Sequence, residues 1–338
     1  MENEKPPAGI FDYIEPDGII SAVEMSYGIN LDGTWSAFPS YVNRVYGLRD
    51  EDGNRYVVKL YRPGRWSVSA IEEEHGFLLE CVAEEVPVVA PLSGVDGRTL
   101  HFLECSAISG SYPFALFPLR AGRLFETDRD EDYLRIGSLI GRLHRISRQR
   151  KAQARQEWLP SLSKKHLEML LEQNLVPSSL RRHFEELCLH CIETIEPLFS
   201  RQPLLRLHGD CHRGNILERP GEGLVLIDFD DMSNGPAVQD LWLLLPDRIG
   251  ACEYQFSLLQ EGYGQFSTLS PGSTLLIEPL RFMRMLHYLA WTAHQQCDHD
   301  FSLRHPQWGS EAFWIRELAD FEEQFDYVRT ILDSSYTG

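Results

Sequence analysis

Between residues 41 and 61, YVNRVYGLRDEDGNRYVVKLY, polar and apolar positions alternate on both sides of Asp52-Gly53. A period of two around such a dipeptide predicts a β-hairpin. After Pro63-Gly64 the spacing lengthens to three and four, which predicts a helix over about Ser67 to Glu85, closed by Pro87. VPVVAPL, TLHFLEC and PFALFPL read as a second set of strands, with turns at Asp96-Gly97 and Gly110-Ser111. From about Asp130 the helical period takes over in YLRIGSLIGRLHRI, HLEMLLEQNL, LRRHFEELCLHCIETI and the tail from Glu278. The change of period falls near Pro118 to Gly122. We therefore expect an α+β chain of two lobes, a small β-rich one over 1–119 and a larger α-rich one over 120–338.

Composition narrows the class. A chain of 338 residues exceeds a typical domain of roughly 100–200 residues, which suits two lobes. Fifty acidic against 32 basic side chains give a net charge of −18, which argues against coating nucleic acid or anionic lipid. No run approaches the ~18 apolar residues of a membrane span, and MENEKPPAGIFDY lacks the apolar core of a secretory leader. Seven cysteines without a C-x-x-C pair suit reduced thiols. A soluble, monomeric, cytoplasmic protein is expected.

Lys59 lies in RYVVKLY with Val57 and Tyr61 on its own side of the strand. Such a lysine is either an edge-strand solubility device or a cation awaiting an anion. The helix that follows favours the second reading. Ala70, Ile71, Phe77, Leu78, Cys81 and Val82 form one apolar face with Glu74 near its middle, while Glu72 points away and Glu73 lies at the margin. A carboxylate there is costly unless a cation meets it, and Lys59 is the nearest candidate. A strand lysine paired to a helix glutamate is one way of holding the α- and β-phosphates of ATP.

The stretch LHGDCHRGNILERPGEGLVLIDFDD, Leu207 to Asp231, sets His208, Asp210 and Asn215 after one short apolar strand and Asp228 and Asp230 after another, the two strands being joined through the turn Pro220–Gly223. A metal chelated by His208 and His212 on a helix is excluded by the helix-breaking Gly209 and Gly214. Phosphoryl transfer accounts for more of the set. It needs a carboxylate beside the acceptor hydroxyl and oxygen ligands for magnesium. Asp210 is the candidate proton acceptor; Asn215 and Asp228 are the candidate Mg2+ ligands.

H-G-D-x-x-x-x-N followed by an apolar residue and I-D-F-D resembles the kinase-like phosphotransferases that include aminoglycoside, choline and homoserine kinases. SYVNRVYGL, RYVVKLYRPGRW, EEEHGF, RLHGDCHRGNIL and DDMSNGPAVQDLWLLL are similar to one branch, the bacterial stress-response Ser/Thr protein kinases. The resemblance runs from about Ser40 to Trp291. It implies a protein-kinase-like fold, ATP as phosphoryl donor and Mg2+ as cofactor. It also implies a Lys59–Glu74 ion pair, Asp210 and Asp228 as catalytic residues, Asn215 and Asp228 on the metal, and a cytoplasmic enzyme acting on protein Ser/Thr. A small-molecule kinase, whose chemistry would be the same, and an inactive kinase-like binding protein are the alternatives. Asp240 matches an aspartate that steadies the catalytic loop, a helix N-cap being the other reading. His208 is expected to hold that loop by a ring hydrogen bond.

Two departures stand out. The turn AFPSYVNR contains no glycine where protein kinases carry a Gly-rich loop, so phosphate contact falls to Ser40, as the resemblance also implies. Asp-Phe-Asp replaces Asp-Phe-Gly, and Asp230 and Asp231 are expected to be solvated rather than to hold a second ion. The adenine base is expected near Phe114–Pro118. Cys211 is expected to be inert, because an adjacent carboxylate raises a thiol pKa. Trp291, Trp308, Trp314, Phe282, Phe301 and Phe313 read as core, and Arg281, Arg284 and His287 as candidates for acceptor contact.

Overall fold

The structure, a computed structural model, describes residues 11–105 and 110–336. The stretch 1–10, read above as lacking a leader, lies outside them. In chain order the elements are α1 (Pro16–Tyr27), β1 (Leu31–Ala37), β2 (Arg44–Asp50), β3 (Arg55–Leu60), α2 (Val68–Ala83), β4 (His101–Cys105), β5 (Gly110–Pro118) and β6 (Arg123–Leu124). Then follow α3 (Asp130–Ser147), α4 (Pro160–Glu172), α5 (Ser178–Phe199), β7 (Leu205–Leu207), β8 (Ile216–Arg219), β9 (Gly223–Leu226), β10 (Ser233–Gly235) and α6 (Gln239–Trp242). The chain ends with α7 (Glu253–Gly264), α8 (Ile277–His294), α9 (Phe301–Arg304) and α10 (Glu311–Tyr336). The fold is α+β and kinase-like, a small antiparallel sheet region followed by a helical one.

Two compact units organise it. The first gathers the chain up to Glu126 with Ala152–Arg155 and Arg213–Asp231; the second gathers Thr127–Lys151, Gln156–His212 and the chain from Met232 on. Compactness thus groups the chain differently from a single cut at 119/120. The reason is pairing: β6 runs antiparallel to β8, and Val88 bridges Leu226, which draws 213–231 into the first unit.

In the first unit the sheet order is β1-β2-β3-β5-β4, all antiparallel. The expected hairpin is β2–β3, and Gly53 in its turn has φ +87°, a conformation that favours glycine. Alternation sends Val58 and Leu60 into a core with Ile19 and Val23 of α1, and with Leu48, Tyr112, Phe114 and Leu116. Lys59, paired across the sheet with Val45 and Ala115, therefore faces the other side, where Ala115 packs with Tyr61 and Ile71 of α2. Ser67 caps α2 by accepting the Ala70 N–H at 3.2 Å. The face predicted for α2 is buried apart from Val82, which is exposed.

Two expectations change. VPVVAPL is not a strand of this sheet: Pro87 and Pro91 lack donors, and the segment follows β9 through Leu226 N–H to Pro87 and Val89 N–H to Leu226. β9 pairs with β8 across the turn that follows Arg219, whereas β7 pairs with β10. Helix α1 packs on the sheet through Ile19 and Val23.

In the second unit α3 lies against α7 at very short range. A Cβ on Gly137 would meet the Leu259 carbonyl oxygen, and one on Gly262 the Leu134 carbonyl oxygen. Trp314, Phe282 and Phe301 are buried as expected, with Phe184 and Phe321 stacked edge-on in the same core. No helix of the described residues is long and apolar enough to cross a membrane.

Candidate functional site

The first unit assembles a cluster of charges at the ends of β3 and β9. Lys59 is 8% exposed, and its Nζ donates to Asp228 Oδ1 at 3.0 Å and lies 3.2 Å from Asp230 Oδ1. Burial works against this ammonium, but the carboxylates of Asp228, Asp230 and Glu74 outweigh it, and the Lys59 pKa stands well above its ordinary value. Arg65 adds a second cation, 2.7 Å from Asp230 Oδ2 and 2.5 Å from Asp231 Oδ1.

The expected Lys59–Glu74 ion pair is corrected here. Glu74 is buried as predicted, yet its Oε2 accepts from Arg155 Nη2 at 2.8 Å. Lys59 meets the carboxylates beyond β9 instead. Reach decides the matter: a guanidinium from outside the helix completes Glu74, while the ammonium on the strand lies closer to Asp228 and Asp230. Glu74 still contributes to Lys59 through its charge. Burial pushes the Glu74 carboxyl up, with Lys59 and Arg155 opposing.

Asp230 is a second correction. It was expected to be solvated, but it is 4% exposed and held between Lys59 and Arg65. Burial raises its pKa, and Arg65, Lys59 and Arg155 overcome that to hold it well below the usual carboxylate range. Asp231 is half-buried and paired with Arg65.

Asp228 differs from these neighbours. Its side chain is 56% exposed, and its backbone has φ +61°, a left-handed conformation that aspartate tolerates better than most residues. Asn215 ends a short 3-10 turn, and its carbonyl accepts the Ile227 N–H at 3.0 Å, which staples it beside Asp228. Lys59, Arg65 and Arg155 meet the carboxylates of Glu74, Asp228, Asp230 and Asp231 in this cluster. Asp228 is the most exposed of the four. An outward carboxylate fits Mg2+, which takes one or two protein oxygens and fills its shell with water and phosphate, and the backbone bond sets Asn215, just ahead of β8, beside the residue that precedes Asp228. Among the described residues no cluster of three or more His, Cys, Asp or Glu forms an all-protein metal cage. Ser40 is half-buried in the loop between β1 and β2, where no glycine stands.

The second unit holds Asp210. Asp240 is buried; its Oδ2 accepts from the His208 N–H at 2.7 Å and its Oδ1 from the Gly209 N–H at 3.0 Å. His144 Nε2 stands 3.0 Å from the same carboxylate. Asp240 therefore steadies the loop; it is not the cap of α6, whose N-cap is Val238. His208 Nδ1 accepts the Asp210 N–H at 3.3 Å, the ring hydrogen bond anticipated for it. Asp210 Oδ1 is bonded by Arg284 of α8 and Oδ2 by His212 at 3.3 Å. Burial pushes Asp210 up, while the His212 hydrogen bond and the Arg284 charge bring it well below the ordinary carboxylate range.

Of the three acceptor-side candidates, Arg284 reaches the predicted proton acceptor. Arg281 instead bonds Glu278 at 3.0 Å and stacks on Trp242, and His287 packs between the rings of Trp158 and His166. Cys211 is buried, and burial with Asp240 and Asp210 raises its thiol pKa far above the ordinary value, as anticipated. Arg65 and Arg155 went unnoticed in the sequence. Arg155 sits in SRQRKAQARQEW, where basic residues look like a solvated run, and nothing local marks it.

Comparison with known proteins gives the family. Residues 34–271 match the phosphotransferase enzyme family. Stress response kinase A of Escherichia coli (strain K12) is 38% identical over 320 residues, covering 93% of each chain. A serine/threonine protein kinase RdoA of Salmonella typhimurium is 38% identical over 316 residues, again 93% of each. Among solved structures, an amicoumacin kinase in complex with AMP-PNP, Ca2+ and Ami superposes with a TM-score of 0.74 at 17% identity, covering 92% of this chain and 94% of that one. A spectinomycin phosphotransferase in complex with ADP and spectinomycin gives 0.61 at 16% identity over 94% and 98%. Family match and relatives together make this chain a kinase of the phosphotransferase enzyme family.

Proposed function

We propose that this kinase transfers the γ-phosphoryl group of ATP, with Mg2+, to serine or threonine hydroxyls of a protein. The observation that carries the reading is the Lys59 ammonium seated on the exposed Asp228 carboxylate, with the Asn215 backbone bonded to the neighbouring Ile227: a cation for phosphate next to a carboxylate for a metal. Asn215 and Asp228 hold Mg2+; Lys59 and Ser40 hold phosphate oxygens, with Glu74 adding charge behind Lys59. A bound Mg2+ supplies positive charge that offsets the phosphates in the transition state.

Asp210 takes the acceptor hydroxyl proton. A carboxylate held so far below its ordinary range is a weak base, so it works chiefly by orienting the hydroxyl, which is sufficient for a loose, metaphosphate-like transition state. The protein acceptor is supported by the name of one relative matched over 93% of the chain, the serine/threonine protein kinase RdoA. A cytoplasmic location accords with seven unbridged cysteines.

Purified protein given labelled ATP and Mg2+, alone, with a basic protein, and with a panel of small alcohols tests the reading. Label on protein serine or threonine is expected. Label only on small molecules would make it a small-molecule kinase, and nucleotide binding without transfer an inactive relative.

A further inference from the structure

Arg155 meets three acceptors of the first unit through its guanidinium. It comes from the segment Ala152–Arg155, which joins this unit from a distant part of the chain, and its side chain is fully buried. Nε donates to the Ala70 carbonyl at 2.8 Å, Nη2 to Glu74 at 2.8 Å and Nη1 to the Asp230 carbonyl at 2.6 Å. The guanidinium also lies 4.4 Å from the Trp66 ring centre. Two of these acceptors are on α2 and the third is in the turn that carries Asp228. The segment is gripped from α2 as well, since Glu73 accepts the Gln153 and Ala154 N–H groups at 2.7 and 2.8 Å.

We propose that Arg155 is the positioning residue of the metal-binding turn, coupling α2 to Asp228 through the Asp230 backbone in place of a direct Lys59–Glu74 pair. The inference rests on the reading of Asp228 as a metal ligand. A planar guanidinium can serve three acceptors in fixed directions, as an ammonium cannot. Its bond to the Asp230 carbonyl leaves the Asp230 carboxylate to Lys59 and Arg65 and fixes the backbone two residues from Asp228. Groups that hold a ligand in place in this way are commonly worth about 10–100-fold in metal affinity.

The test is ADP binding with and without Mg2+, for the unmodified protein, Arg155→Lys, the double variant Arg155→Met/Glu74→Gln, and Asp228→Ala. Arg155→Lys keeps a cation for Glu74 but cannot span all three acceptors. The double variant removes the pair without stranding a charge. Both are expected to lose about 10–100-fold of the Mg2+-dependent gain in ADP affinity, each read against its own Mg2+-free binding, which stays unchanged in Arg155→Lys, whereas in the double variant the loss of Glu74 alters it. A folded Arg155 variant that keeps the full gain while Asp228→Ala loses it overturns the role of Arg155 alone; Asp228→Ala keeping it overturns the reading of the site. If neither Arg155 variant folds, hydrogen exchange on the unmodified protein decides. With Mg2+ and ADP, amides of 152–155 and of the first turns of α2 are expected to slow together with 228–231. Protection confined to 228–231 overturns the coupling.

Discussion

Asp230 and Asp240 are both buried carboxylates next to the functional stretch, and they are held by different physics. Asp230, in the first unit, sits between the Lys59 and Arg65 cations. Asp240, in the second, accepts two backbone N–H groups and faces the His144 imidazole. Ionic anchoring tolerates exchange of partners, since a cation can turn from a carboxylate to a phosphate oxygen with little loss. Backbone hydrogen bonds fix direction and leave no such choice. The unit that would receive a polyanion uses the first device, and the loop that presents Asp210 uses the second.

The largest expected effects concern the exposed ends of the two regions. Asp210→Ala should lower phosphoryl transfer by about three orders of magnitude while nucleotide binding persists, because its role is toward the acceptor. Asp228→Ala should abolish Mg2+-dependent nucleotide binding. Single-turnover assays and calorimetry separate the two, and near-normal turnover in both would remove the assignment.

Next, the anchors themselves can be compared by urea unfolding. Asp230→Asn removes the buried carboxylate shared by Lys59 and Arg65, which keep only the more exposed Asp228 and Asp231, and should cost about 3 kcal/mol, the lower end for a broken buried pair. Asp240→Asn keeps one acceptor oxygen and strands fewer donors, so about 1–3 kcal/mol is expected. Equal losses would mean that the ionic and hydrogen-bonded anchors do not differ in kind.

A smaller effect is expected in pH dependence. Asp210 is depressed in the folded chain, so its stabilising contribution is present above its unfolded pKa and is lost only as pH falls through the lower folded value. Arg284→Ala removes one cause of that depression. The Asp210 pKa should rise, and the acidic limb of the kcat/KM profile should move to higher pH. An unmoved limb would show that Arg284 does not set the charge state of Asp210. Least of all should change in Cys211→Ser: with the thiol buried and its pKa raised, peroxide sensitivity should match that of the unmodified protein.

Local pattern made much of this legible. The β2–β3 alternation put Lys59 on the α2 side of the sheet, and the wheel of α2 ranked Glu72, Glu73 and Glu74 in order of increasing burial. The spacing of His208, Asp210 and Asn215 marked the loop, and the QDLW aspartate proved to be its anchor. VPVVAPL misled because an apolar run with two prolines resembles a strand in composition but cannot supply its ladder donors. Arg155 escaped notice because a lone basic residue in a polar run carries no period.

The sequence by itself determined the alternation and helical spacing, the strand-end placement of the Asp and Asn groups, and the burial of a carboxylate on α2, since each depends on residues within a few positions of one another. Only the tertiary structure decided which charges meet. Lys59 and Asp228 are 169 positions apart and Arg155 and Glu74 are 81 apart. Several cations and carboxylates of similar chemistry converge there, so the choice among partners depends on distance, direction and burial, which no short-range pattern encodes.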